Sequence, residues 1–361
     1  MTRASGSFRS LFLYDICDEI RLDELRKLLG SPGAGREPRF HRLAPEYVRF
    51  ERPPVIEVLE PVVLENGDRL RCDVNYYDYG VLSVEFELPF ESSWDDLVKN
   101  SGNWTTAPEL ESKAAEIVHR CQDRARAAFV KPYDYQLTED YYVIQILPGA
   151  HPLTAAELIA QHGADIAQIV RGETMPLSTE ETAEVLQSRL SYFPNDLLVV
   201  GWTAALVYDT EESSGPTIQL LEYANSQLLE FRHYDHVLTR LLTQVYDTVS
   251  SGGGPLGRWR LARKAERLNT IQLDVRELTE RVDNSIKFLS DTFAARVYRL
   301  AANRIGVPDY RTLVDQKLST AGELYRFMMD RFYQGRAFVL ELMVVVILII
   351  ELVYLFRGRR T

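Results

Sequence analysis

The chain's strongest constraint lies at its C-terminal end, where Ala337 to Phe356 read AFVLELMVVVILIIELVYLF and RGRRT follows. Residues 337–356 as a helix would rise about 30 Å, roughly the thickness of a bilayer's hydrocarbon core. The run has no Gly or Pro, and Tyr354 and Phe356 stand where an interfacial aromatic belt would lie. The pattern predicts a single C-terminal transmembrane helix over 337–356 and a basic tail over 357–361. Glu341 and Glu351 interrupt it, and an acid near a bilayer's centre costs about 2.5 kcal/mol or more. Ten residues apart at 100° each, they lie about 80° apart around the helix. Their expected role is packing between membrane helices, as part of an oligomer.

Position in the cell follows from the rest of the chain. MTRASGSFRSLFLYDICDE lacks the long apolar stretch of a secretory signal, and Asp15, Asp18 and Glu19 argue against a transit peptide. The expectation is a single-pass protein of a bacterial plasma membrane, with the bulk of the chain cytoplasmic. A formal charge of −11 speaks against a general nucleic-acid binder. Cys17, Cys72 and Cys121 are too few and too far apart for a disulfide framework or a CxxC metal site.

Residues 1–210 read as an α+β domain. Ser10 to Tyr14 is a short strand and Arg21 to Leu29 a short helix ending at Gly30. Val55 to Leu64 and Leu70 to Tyr77 flank the Asn66-Gly67 signal of a hairpin. Val81 to Leu88 alternates apolar and polar residues, as a half-buried strand does. Helices are expected from Trp94, from Pro108 to Val130, from Ala155 to Val170 and from Thr179 to Leu190. Tyr141 to Leu147 is a strand, and Leu197 to Tyr208 is a buried strand or strand pair.

Residues 211–336 change to a helical period. Three apolar seams, broken at Ser251 to Pro255 and at Gly306 to Pro308, predict long antiparallel helices, a coiled-coil-like stalk suited to self-association. A second helix from about Leu256 to Arg304 would run roughly 70 Å, against roughly 40 Å for the third. Its start would then reach the membrane surface. Arg258, Trp259, Arg260, Arg263 and Lys264 there are the basic and aromatic residues that an interfacial segment uses.

Signatures of chemistry are sparse. The sequence has no GxxxxGK[ST], GxGxxG, GxSxG or HExxH motif. Glu230 and His233 are spaced as in the ExxH of di-iron bundles, but no second ExxH completes such a site. They are weak metal candidates beside the reading as polar residues of a helix. No catalytic or cofactor-binding residue is expected, and no cofactor.

The tail carries a family resemblance. LELMVVVILIIELV, with acids ten residues apart, resembles the C-terminal signature of the "required for meiotic nuclear division" or YagE-like family. Asp315 to Leu318 and Gly322 to Tyr325 are similar to its premembrane helix, Arg267-Leu268-Asn269 to its central helix, and Tyr77 to Val81 to one of its strands. Leu342 stands where that family has an aromatic residue, as in a divergent prokaryotic relative. The resemblance implies a membrane-tailed protein with an N-terminal α/β domain and a link to translation, with the ribosome as a possible partner.

Together these readings predict a non-enzymatic, membrane-anchored scaffold or assembly factor whose α+β domain meets a cytosolic protein. Its expected partners are the lipid bilayer, further copies of the chain and that protein. The alternatives are an enzyme or ligand sensor built in the α+β domain, and an oligomeric membrane pore.

Overall fold

The computed structural model describes residues 3–30, 53–105, 107–250, 293–358 and parts of 266–277. Its described residues form two compact units, 1–233 with 278–311, and 234–277 with 312–361.

The first unit is built on a mixed sheet of eight strands: β1 Arg3–Ile20, β2 Val55–Val63, β3 Arg69–Tyr76, β4 Val81–Ser93, β5 Phe129–Leu147, β6 Arg189–Leu190, β7 Leu197–Val200 and β8 Ala204–Tyr208. Their order is β2-β3-β4-β1-β5-β8-β7-β6, and all neighbours are antiparallel except β5 and β8. The long central pair explains the order. β1 lies between β4 and β5 along nearly its whole length, so Ser10 to Tyr14 is only the apolar middle of an 18-residue strand.

Local signals place the turns and caps. Asn66 and Gly67 close the β2–β3 hairpin, with Gly67 at φ 89°. Helix α1 (Leu22–Leu29) stops at Gly30 in the left-handed region. Helix α2 spans Trp94–Trp104, α3 Pro108–Arg124, α4 Ala155–Arg171 and α5 Thr179–Gln187. α4 opens on a capping box between Thr154 and Glu157. The expected helix from Pro108 to Val130 ends early, because Phe129 already enters β5.

Alternate residues of β1 point to opposite faces. Phe8, Phe12, Tyr14 and Ile16 bury in apolar clusters with residues of α2, α3 and α4. On the other face runs helix α6 (Glu211–Ser250), whose residues 220–231 are all buried. A helix buried on every side needs cover away from the sheet as well. Helix α7 (Phe293–Ile305) supplies it: the Tyr298 hydroxyl bonds to Gln227 at 2.9 Å, and its ring lies 5.8 Å from that of Tyr223.

The second unit contains the C-terminal part of α6 and most of helix α8 (Val307–Gly358). Leu238, Leu241, Leu242, Val314 and Ala321 are buried there, and Lys317 donates to Asp235 at 2.5 Å and Thr239 at 2.6 Å.

The structure corrects the expected α+β fold with a transmembrane tail. The N-terminal part is a mixed, sheet-rich unit with several helices, and among the described residues no helix is long and apolar enough to cross a membrane. The apolar stretch whose side chains are described, Met343 to Leu352, is ten residues. The expected single-pass, tail-anchored location is corrected by the same finding. The side chains of 337–342 and 353–356, with most of the 357–361 tail, lie outside the described residues.

Candidate functional site

Two places in the sheet unit gather polar groups, one on each face of the sheet. The first is a buried seam beneath α6. Ser214, Glu222, Ser226, Glu230 and His233 fall one or two helical turns apart, which puts them on one stripe of the helix. The opposing sheet face is polar too, because the strands pair Arg9 with Glu87 and Glu87 with Arg71, one row from Asp73 and Glu85. Arg9 donates to Glu85 at 2.5 Å and to Glu87 at 2.7 Å, with all three side chains largely buried. The two carboxylates hold the Arg9 guanidinium above its ordinary pKa, against the opposing pull of burial.

Along the seam, Gln145 donates to Ser214 at 2.6 Å and accepts from Ser7 at 3.2 Å. Asn75 donates to both oxygens of Glu222 at 2.8 Å. Glu222 is 2% exposed, and burial, reinforced by the charge of Glu85, pushes its carboxyl up to about 7. Asn75, Ser83 and Tyr77 oppose that shift by hydrogen bonding to its charged form. Tyr79 meets Ser226 at 2.5 Å, and its ring stacks on Tyr77 at 5.4 Å.

At the far end of the stripe, the His233 imidazole meets the Asp15 carboxyl and stacks on Tyr133 at 4.5 Å. A bulge makes this possible. Asp15 pairs with Leu137 but Cys17 with Pro132, so β5 spends four residues where β1 spends one. The loop so formed carries Tyr133 over the imidazole, beside Lys131 at φ 47°. Burial raises the Asp15 carboxyl, against the hydrogen bond and charge of His233 that lower it. Burial, then the charges of Asp15, Glu230 and Asp18, raises the Tyr133 phenol.

The second place is an open cavity of about 250 Å³ on the opposite face, where β1 and β5 meet the start of α3. Phe12, Tyr14 and Tyr142 form its aromatic part, with Phe12 edge-on to Tyr142 at 6.3 Å. Glu111, Glu139 and Asp140 bring three carboxylates to it. Glu139 is ion-paired to Arg232, whereas Glu111 and Asp140 are exposed. Tyr14 is 4% exposed, and its hydroxyl has no hydrogen-bond partner among the described residues. Burial, with the charges of Glu111 and Asp140, pushes it up to about 12, so it stays a neutral donor.

Residues 5–214 match the family described as "Uncharacterized protein MJ0711, N-terminal domain". The chain belongs to this family. The matched segment contains the whole cavity and the sheet side of the seam, but ends at Ser214, where the α6 stripe begins. One similar protein is "Uncharacterized protein MJ0711" of Methanocaldococcus jannaschii, 18% identical over 195 residues, which cover 54% of this chain. The chain spans only 60% of that relative's length. No solved structure matches. The resemblance to the "required for meiotic nuclear division" family finds no support among these matches, which supply a different family.

The residues singled out in the sequence meet different fates. Glu230 and His233 do share a helix face, but the imidazole meets Asp15 and Tyr133. Among the described residues no group of His, Cys, Asp or Glu is arranged to hold a metal ion. Arg258, Trp259, Arg260, Arg263 and Lys264 lie outside the described residues, as does the Glu341 side chain. Glu351 is exposed on α8. Sequence reasoning missed Asp15, Tyr14, Glu111, Asp140 and Tyr142. Asp15 left a signal: it is the one carboxylate inside SLFLYDIC, where an acid within a central strand demands a partner. The three cysteines are buried and free, and burial pushes the Cys17 and Cys72 thiols up to about 12, far from a reactive thiolate.

Proposed function

We propose that the chain is a non-enzymatic scaffold or assembly factor whose sheet unit engages a protein partner and whose α8 mediates self-association. One observation carries this reading. The acid and imidazole groups suited to proton chemistry are buried beneath α6 and face one another, while the open cavity presents aromatic rings and carboxylates. Aromatic rings edged by carboxylates suit the holding of a cationic group presented by a partner. Self-association rests on Met343 to Leu352, apolar except for Glu351 and exposed all round the helix in the isolated chain. Such a surface calls for cover.

The test is crosslinking of the full-length chain in cells, with mass spectrometry of the captured proteins. The expected result is a small, reproducible set of partners that Glu111→Lys with Asp140→Lys removes. Ribosomal proteins in that set would point towards a role in translation. An unchanged set would remove the cavity face from the reading. A second reading, a sensor for a small cationic ligand, is favoured by the same cavity. The two part on whether binding requires a polypeptide.

A further inference from the structure

The cavity at the start of α3 has a chemistry specific enough to name its occupant. Its volume, about 250 Å³, lies below the roughly 300–1,000 Å³ of ordinary small-molecule sites, which suits one side chain better than a nucleotide or a large cofactor. Its walls divide into two kinds. Phe12, Tyr14 and Tyr142 are buried and offer ring surface. Glu111 and Asp140 are exposed and come from different elements, α3 and β5. Glu111 stands in the first turn of α3, where the helix dipole stabilises a carboxylate. Neither acid has an ion-pair partner among the described residues, unlike Glu139, which Arg232 occupies.

A second observation is independent of the acids. The Tyr14 hydroxyl is carried on a side chain more than nine-tenths buried, it lines the cavity, and no described group bonds to it. That hydroxyl faces the open cavity rather than a protein group, so its bonding capacity is available to an occupant. A ligand with N–H donors satisfies it, because the phenol oxygen accepts while the two carboxylates take the charge.

We propose that this cavity binds an arginine side chain of a partner protein, the guanidinium lying on the Tyr14 and Tyr142 rings and donating to Glu111 and Asp140. Guanidinium fits better than ammonium for two reasons. It stacks on aromatic faces, and its planar fork of five donors can serve two carboxylates at once. This inference rests on the scaffold reading and names its partner's chemistry.

The experiment is calorimetric titration of the full-length chain with capped pentapeptides GGRGG, GGKGG and GGQGG, alongside free argininamide. GGRGG is expected to bind at least threefold tighter than GGKGG, with GGQGG showing no heat. Glu111→Gln and Asp140→Gln should each weaken GGRGG about tenfold, and Tyr14→Phe about threefold. The two acids are exposed, so these variants fold, and circular dichroism checks that they do. Equal binding of GGQGG, or undiminished binding by both acid variants, overturns the inference. Argininamide binding as tightly as the peptide overturns the polypeptide occupant. Loss of crosslinked partners in the Glu111→Lys, Asp140→Lys chain without any GGRGG binding would sink the guanidinium and leave the scaffold standing. Tight GGRGG binding with unchanged crosslinks would do the reverse.

Discussion

Asp15 of β1 and His233 of α6 are 218 positions apart in the chain and meet side chain to side chain in the floor of the sheet unit, both nearly inaccessible to solvent. The pair ties the central strand to the helix that covers it. Removing one member of a buried pair leaves the other without its partner, a loss of about 3–5 kcal/mol in comparable sites. His233→Ala should therefore destabilise by about 3 kcal/mol in urea unfolding, with the Asp15 proton limiting the loss. Asp15→Asn keeps the shape and should lose about 1–2 kcal/mol. The double variant should fall short of the sum by about 2 kcal/mol. Strict additivity would mean that the two side chains do not interact.

Glu222 gives the seam a pH dependence of definite sign. In the folded chain its carboxyl titrates at about 7, against an ordinary value of 4.5. Between those values the folded state holds the proton that the unfolded state has lost, so stability from this group falls as pH rises. A shift of this size corresponds to roughly 3 kcal/mol across the window. Glu222→Gln should remove that slope, matching the parent near pH 4.5 and exceeding it above pH 7. Thermal unfolding at intervals from pH 4.5 to 8 measures the difference. Comparing the two chains cancels groups of opposite sign such as Glu184, whose carboxyl Arg304 holds below its ordinary value.

These two pairs also mark where the sequence stops being informative. Period-two alternation revealed β4, and Asn66-Gly67 revealed the β2–β3 hairpin, because both signals are local. The capping box of α4 and the glycine after α1 are local in the same sense. The full length of β5 was not legible: Lys131 to Asp140 is polar, and only pairing with β1 makes it strand. The seam was half legible. Glu230 and His233 stood out by spacing, but Asp15, the partner of His233, comes from the other end of the sheet unit's chain. The cavity was not legible at all, since Tyr14, Glu111 and Asp140 come from three segments that only the fold brings together. The apolar tail shows the opposite error. A strong one-dimensional hydropathy signal predicts a span, whereas among the described residues no helix meets the length and apolarity that crossing requires.

The β3–β4 turn offers a test of backbone constraint with an internal control. Gly80 has φ 99°, and a Cβ there would collide with the Cys17 carbonyl oxygen. Gly67 has a similar φ of 89° but open space around it. Gly67→Ala should lose only the conformational term, about 1 kcal/mol. Gly80→Ala should lose at least about 3 kcal/mol, because β1 must move away from a turn to which Ile16 and Ile20 donate backbone hydrogen bonds. Urea midpoints of the two variants give the comparison directly, and equal losses would show that the close approach at Cys17 relaxes freely.

Self-association through α8 is the remaining expectation, and it can be separated from partner binding. Met343 to Leu352 expose about half of each apolar side chain, and Glu351 is exposed among them. If copies of the chain cover this surface, Ile347→Lys places a charge in the contact, where an unpaired buried cation is costly. Sedimentation of the full-length chain should then show an oligomer that Ile347→Lys shifts towards monomer by at least tenfold in dissociation constant. Glu351→Leu should leave the oligomer intact or tighten it if the acid lies at the edge of the contact, and change its stoichiometry if the acid packs inside. GGRGG titration should be identical for all three chains, since the peptide site lies wholly within the sheet unit. A parent chain that sediments as a monomer over the working concentration range would remove self-association from the proposed function and leave the arginine site untouched.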